Sequence, residues 1–203
     1  MSKCTSPEKL EQFNEFFSIE HSFSINIMPL SASNELTFEH FINNMPMPFK
    51  MASDVITIDQ SSLRSIQGLG NSAEQLVDFL NHQSKKIDLL VSYILSQQDE
   101  QQHRYQGVKF GGGGVVFTSD NPFELNQLLE MKVFILQENC AVYCYGEVIA
   151  IEAFESINGD KLYQQKVIFH FIQEDDREIL VRASLHEQSK QLQALAKKRN
   201  QAN

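Results

Sequence analysis

Positive charge is scarce in this chain, cysteine is scarcer, and a long apolar run is missing altogether. Lysine and arginine number 17 against 26 acidic residues, for a net charge of −9. Non-specific binding to nucleic acid or to an anionic membrane needs a dominant basic surface, so neither partner is expected. No stretch approaches the roughly 18 apolar residues of a membrane span, and the opening "MSKCTSPEKLEQ" lacks the apolar segment of a secretory signal. Membrane insertion is therefore not expected. Cys4, Cys140 and Cys144 are the three cysteines, an odd and sparse set that fits a reducing compartment better than a disulfide framework. The expected location is the cytoplasm. Cys140 and Cys144 can share a strand face, but four strand positions separate them by roughly 13 Å, too far to hold one zinc. They read as small packing residues.

Catalytic patterns are equally thin. His21, His40, His82, His103, His170 and His186 form neither HExxH nor a Cys/His zinc spacing. There is no GxSxG. The carboxylates of "EDDRE" (residues 174–178) read as the acidic first turn of a helix, where negative charge is favoured. The chain is read as non-enzymatic, without a metal or an obligatory cofactor.

What is present divides into three segments. Residues 1–60 are an N-terminal extension with β-strand character: "HSFSINIM" alternates Phe23, Ile25 and Ile27 with polar neighbours. Residues 61–102 carry a long helix. From Leu69 the apolar positions step 4-3-4-3 through Ala73, Leu76 and Leu80, then Gln83, Ile87, Leu90 and Ile94, the heptad seam of a coiled coil with one polar position. This seam reads as a self-association surface building a dimer to tetramer. Phe79, Leu89, Val91 and Leu95 widen the apolar face, so packing on the chain's own domain is the alternative.

Residues 103–203 begin with short runs rich in Val, Ile, Phe and Tyr, separated by turns such as "SDNP" and "SINGD". Five or six strands in so short a span point to a small antiparallel barrel. "ILVRASLHEQSKQLQALAKKR" then reads as a C-terminal helix. The fold class is mainly β with helices.

Inside the barrel region lies "VKFGGGGVVF", residues 108–117. A phosphate-binding P-loop needs Lys and Ser or Thr after its last glycine, and a helix beginning there. Here the glycines run into a β-branched strand, so that reading fails, as does the dinucleotide-binding one. The glycines read instead as a bulge or a site of positive φ, with Lys109 solvated on a strand edge. An anion nest of backbone N–H groups beside Lys109 is the alternative.

The order of elements resembles a PilZ domain, the small bacterial β-barrel family that typically binds cyclic di-GMP. The resemblance spans residues 104–190. It rests on the turn before the second strand, Gly146 in "YGEV", the "IFHF" strand, and the entry "DDREILVRAS" to the last helix. The preceding heptad helix resembles an atypical branch in which such a helix assembles subunits. Family members that bind cyclic di-GMP carry RxxxR before the barrel and (D/N)xSxxG at the turn. Here the turn is Lys109-Phe-Gly111-Gly-Gly-Gly114, and Arg104 has no second arginine four positions away. Each missing charge-assisted hydrogen bond forgoes roughly 1.5–3 kcal/mol, while micromolar affinity amounts to about 8 kcal/mol. The resemblance therefore implies a signalling adaptor that works through self-association and contact with an unidentified signalling protein. The alternative is a cyclic di-GMP receptor with a rearranged site at Arg104, Lys109, Gly111 and Gly114.

Overall fold

The computed structural model of the chain describes residues 3–4, 7–31, 36–52, 74–135, 140–156 and 158–201. Its strands are β1 (Lys3–Cys4), β2 (Ser18–Pro29), β3 (Arg104–Gly111), β4 (Gly114–Ser119), β5 (Leu128–Ile135), β6 (Cys140–Glu155) and β7 (Lys161–Ile172). Its helices are α1 (Pro7–Glu15), α2 (Phe38–Asn44), α3 (residues 47–52), α4 (Glu74–Ser96) and α5 (Glu174–Gln201).

Six of the strands close on themselves. The order runs β6-β5-β2-β3-β4-β7, and β7 pairs back onto β6. Every pairing is antiparallel, so the expected small antiparallel barrel with helices is observed; the long helix, expected before the barrel, instead falls between its first two staves in chain order, and α5 follows the last. Closure removes the sheet edges along the barrel wall. Inside, alternate residues of each strand meet in one cluster that includes Ile25, Ile27, Phe110, Phe117, Met131, Val133, Val142, Cys144 and Val167. Ile179, Leu180 and Ala183 of α5 pack onto the same cluster.

The sequence reads residues 1–60 as an extension distinct from the barrel region, but Ser18–Pro29 lies within the barrel as a stave between β3 and β5. Its alternation is what a barrel wall requires: Phe23, Ile25 and Ile27 are buried in the interior cluster. Ser24 and Asn26 face α4's exit, where their side chains reach Asp99 at 2.9 and 2.8 Å. The rest of the extension adds two helical layers that the sequence reading lacked. Phe41 of α2, with Phe49 and Ala52, packs on the outward Phe134, Tyr143 and Tyr145 of β5 and β6. Thr37 caps α2 by accepting from the His40 amide at 3.2 Å. On another side, Phe13 of α1 is buried against Val116, Ile149 and Ile168.

The long helix is found over Glu74–Ser96. Residues 53–73 lie outside the described residues, and with them the expected start of that helix and its first seam positions, Leu69 and Ala73. Where α4 ends, Val91 and Leu95 join the outer cluster of β5 and β6. Beyond it, Asp99 accepts from Arg104 at 3.0 Å and Glu100 accepts from the buried Lys132 at 2.7 Å. The helix root is thus fixed to the barrel by both apolar and ionic contacts. None of the described helices is long and apolar enough to cross a membrane.

Candidate functional site: a covered turn and an exposed seam

The four glycines form the β3–β4 connection, and all four are buried. Close approach explains them. A Cβ on Gly111 would lie 2.2 Å from the Phe17 carbonyl oxygen, and one on Gly114 would lie 2.1 Å from that of Val167. At Gly112 it would strike Val181 of α5 and Phe16, and at Gly113 the Phe13 carbonyl oxygen at 2.8 Å. Positive φ is not the reason: among the described glycines only Gly159 has it. Nor is Lys109 on a strand edge, since β3 is paired on both sides and Lys109 stands opposite Glu20 and Val116. These two points correct the sequence reading.

Residues 13–17 and α5 therefore sit directly on the turn. Arg177 of α5 completes the cover. Its Nη1 donates to the Gly112 carbonyl oxygen at 2.7 Å, its Nε lies 3.6 Å from Glu174, and its guanidinium stands 5.4 Å from the centre of the Phe16 ring. The sequence reading missed Phe13, Phe16 and Arg177 as partners of the glycines. No local spacing reveals them, because the contacts join residues from opposite ends of the chain.

The residues of the alternative ligand site do not converge. Arg104 begins β3 and Gly111 ends it. Seven strand steps of about 3.3 Å put their Cα atoms roughly 23 Å apart. Arg104 is moreover committed to Asp99. Gly111 lies against Phe17 and Ser18, and Gly114 against Phe13 of α1 and Val167 of β7; of Arg104 and Lys109, only Lys109 stands near them. Among the described residues no group of His, Cys, Asp and Glu could hold a metal ion. Cys144 is fully buried, and burial pushes its thiol well up, so it packs rather than reacts.

The helical seam has the opposite character. Leu76, Ile87, Leu90 and Ile94 are 51%, 44%, 64% and 48% exposed, while Leu80 and Gln83 are half-buried. Beside them Phe79, Leu89 and Tyr93 are also exposed. The barrel takes the adjoining face of α4, through Val91 and Leu95. Packing on the chain's own domain is thus observed through Val91 and Leu95, whereas Phe79 and Leu89, named with them as widening the apolar face, stay exposed beside the heptad positions.

No family model matches this chain, and no curated protein matches it. Solved structures do. MrkH of K. pneumonia is 15% identical with a TM-score of 0.39, over 45% of this chain and 44% of that one; the chain thus spans less than half of MrkH. The PilZ domain of YcgR from Escherichia coli, solved with c-di-GMP, is 13% identical with a TM-score of 0.39, over 47% of this chain and 82% of that one. A Xanthomonas campestris protein, described as a tetrameric PilZ domain self-assembled via a helical bundle, is 10% identical with a TM-score of 0.46, over 91% of this chain and 94% of that one. The chain is similar in structure to PilZ proteins, and its own strand pairing makes it a closed six-stave antiparallel barrel with flanking helices.

Proposed function

We propose that this chain is a non-catalytic regulatory module of PilZ type in bacterial signalling, acting through self-association and protein contacts. The observation that carries this reading is the exposed seam of α4. Leu76, Ile87, Leu90 and Ile94 leave water only if something covers them, and full burial of each such side chain is worth about 1.5–3 kcal/mol. The heptad spacing of these residues fits a helix from a second copy. The assembled barrels would then present their outer faces to a signalling partner in the cytoplasm.

The same reading holds that cyclic di-GMP is not bound in the orthodox way. Its support is the covered turn: the glycines carry α1 and α5, and Arg104 is held by Asp99. Two measurements test the proposal. Sedimentation equilibrium is expected to give an integer multiple of the monomer mass for the natural chain and the monomer for Leu80→Asp/Leu90→Asp. A monomeric natural chain, or an unchanged mass in the variant, overturns self-association. Calorimetric titration with cyclic di-GMP is expected to be silent into the high micromolar range. Saturable heat would establish the receptor reading instead.

A further inference from the structure

The last helix outruns the barrel it packs on. Ile179, Leu180 and Ala183 join the interior cluster, and Gln191 donates to the Glu20 carbonyl oxygen at 2.9 Å. Residues 192–199 are exposed without exception, so α5 runs on for about two turns into solvent. Helical turns with nothing packed on them gain little stability of their own. One stripe of this helix continues from the packed part into the projecting part. Val181, Leu185, Gln188, Leu192 and Leu195 follow one another at steps of 4, 3, 4 and 3. The same spacing reaches back to Glu178 and Glu174 and forward to Arg199, which places all of them on one helical face. Leu185, Leu192 and Leu195 are 50%, 60% and 58% exposed.

Near its start the stripe borders an open groove of about 310 Å³ between the half-buried Phe16 and α5. Glu178, Val181, Arg182 and Leu185 line its helix side. These four stand at i, i+3, i+4 and i+7, the arrangement that receives one apolar side chain of a facing helix. The two ends of the stripe carry opposite charge. Glu174 and Glu178 are exposed at one end and Arg199 at the other, where Lys197 and Lys198 add to the positive sign. The spacing between Glu174 and Arg199 also reads the same in either direction.

We infer that this stripe is a second self-association surface, on which α5 of another copy of the chain lies antiparallel. Charge sets the direction. A parallel pair sets Glu174 on Glu174 and Arg199 on Arg199, whereas the antiparallel pair sets Arg199 of each copy against Glu174 of the other. The palindromic spacing then matches the two stripes layer for layer. Leu192 of the second copy stands opposite Val181, and Gln188 of the second copy opposite Leu185. Leu195 of the second copy stands opposite Glu178, where it enters the groove beside Phe16. The contact is isologous, so each of these layers occurs twice. It lies on a different helix from the seam of α4 and does not rest on that seam. Few side chains are buried, so the contact alone is weak, with a dissociation constant of about 0.1 mM. The Leu80→Asp/Leu90→Asp chain is therefore a monomer when dilute and a dimer when concentrated.

The test is sedimentation equilibrium of the full-length Leu80→Asp/Leu90→Asp chain from about 10 μM to about 1 mM, so that failure of the α4 seam cannot be mistaken for failure here. The mass is expected to rise from the monomer towards twice that value. Adding Leu192→Asp, on the projecting part of the helix, is expected to weaken this dimer about tenfold or more. Adding Glu174→Arg or Arg199→Glu alone is expected to weaken it likewise, and adding both to restore it. In the natural chain, Leu192→Asp is expected to leave the mass at about 10 μM unchanged and to remove its further growth towards about 1 mM. A Leu80→Asp/Leu90→Asp chain that stays monomeric throughout overturns the proposal. So does a dimer indifferent to Leu192→Asp, or a charge exchange that restores nothing.

Discussion

Arg177 donates to the carbonyl oxygen of Gly112 at 2.7 Å, tying the first turn of the last helix to the glycine-rich connection. The bond sits between the ring of Phe16 and the carboxylate of Glu174. An arginine beside a glycine turn thus serves the fold, holding α5 and the segment after α1 on the same patch of barrel.

Replacing Arg177 with Met keeps much of the aliphatic stem and removes the donor and the charge. The lost charge-assisted bond is worth about 1.5–3 kcal/mol. For a chain of this size the melting temperature is expected to fall by roughly 3–12 °C, read by circular dichroism. An unchanged melt would mean that water satisfies Gly112 equally well.

The glycines separate close approach from backbone conformation. A Cβ on Gly114 meets the Val167 carbonyl oxygen at 2.1 Å, whereas one on Gly159 meets nothing within 4 Å and the residue has φ +86°. Gly114→Ala forces two backbones apart and is expected to cost about 3 kcal/mol or more. Gly159→Ala costs about 1–2 kcal/mol through its left-handed conformation alone. Urea unfolding midpoints of the two variants check the order; equal losses would show that the turn relaxes.

The glycine turn also marks where sequence reading stopped. The strands were legible because β-branched and aromatic residues alternate between turn residues, and "SINGD" contains the left-handed Gly159. The helix Glu74–Ser96 was legible because its apolar spacing is a local pattern. The place of β2 was not: its alternation identifies a strand, but its neighbours are about 80–110 residues distant in register. The reason for Gly111 and Gly114 was hidden likewise, since the carbonyls of Phe17 and Val167 come near only in the closed barrel. For Arg104, motif spacing drew attention to a ligand, while its partner Asp99 stood five positions away. A local salt bridge and a ligand-binding arginine look alike in sequence.

The two faces of α4 yield a further contrast. Leu95 is 4% exposed within the outer cluster, and Leu90 is 64% exposed on the seam. Leu95→Ala leaves a cavity beside Tyr143 and Phe134 and is expected to cost about 2–5 kcal/mol. Leu90→Ala is expected to leave the stability of a dilute monomer nearly unchanged while weakening self-association. Thermal unfolding over a protein dilution series distinguishes them: only the Leu90 variant should lose the concentration dependence that the proposed self-association predicts for the natural chain.

The last prediction concerns pH and Glu130. Burial raises its carboxyl above the ordinary value of 4.5, opposed by a hydrogen bond from Tyr143 and by the charge of Lys132, and assisted by Glu100. A carboxyl with a raised value in the folded state binds its proton more tightly there than in the unfolded chain. Its contribution to stability is therefore fully present below about 4.5 and is lost as pH rises through the raised value. Glu100 acts with the opposite sign, because its hydrogen bond and charge pairing with Lys132 lower its carboxyl. That contribution is lost as pH falls below the ordinary range. Glu130→Gln keeps an acceptor for Tyr143 and removes the titration. The difference in urea stability between variant and natural chain isolates Glu130 from Glu100. It is expected to move in favour of the variant as pH rises above about 4.5 and to level off beyond the raised value. Parallel curves from about pH 4 to pH 8 would mean that water reaches this carboxylate beneath Tyr143, and that the outer face of β5 is open where the structure closes it.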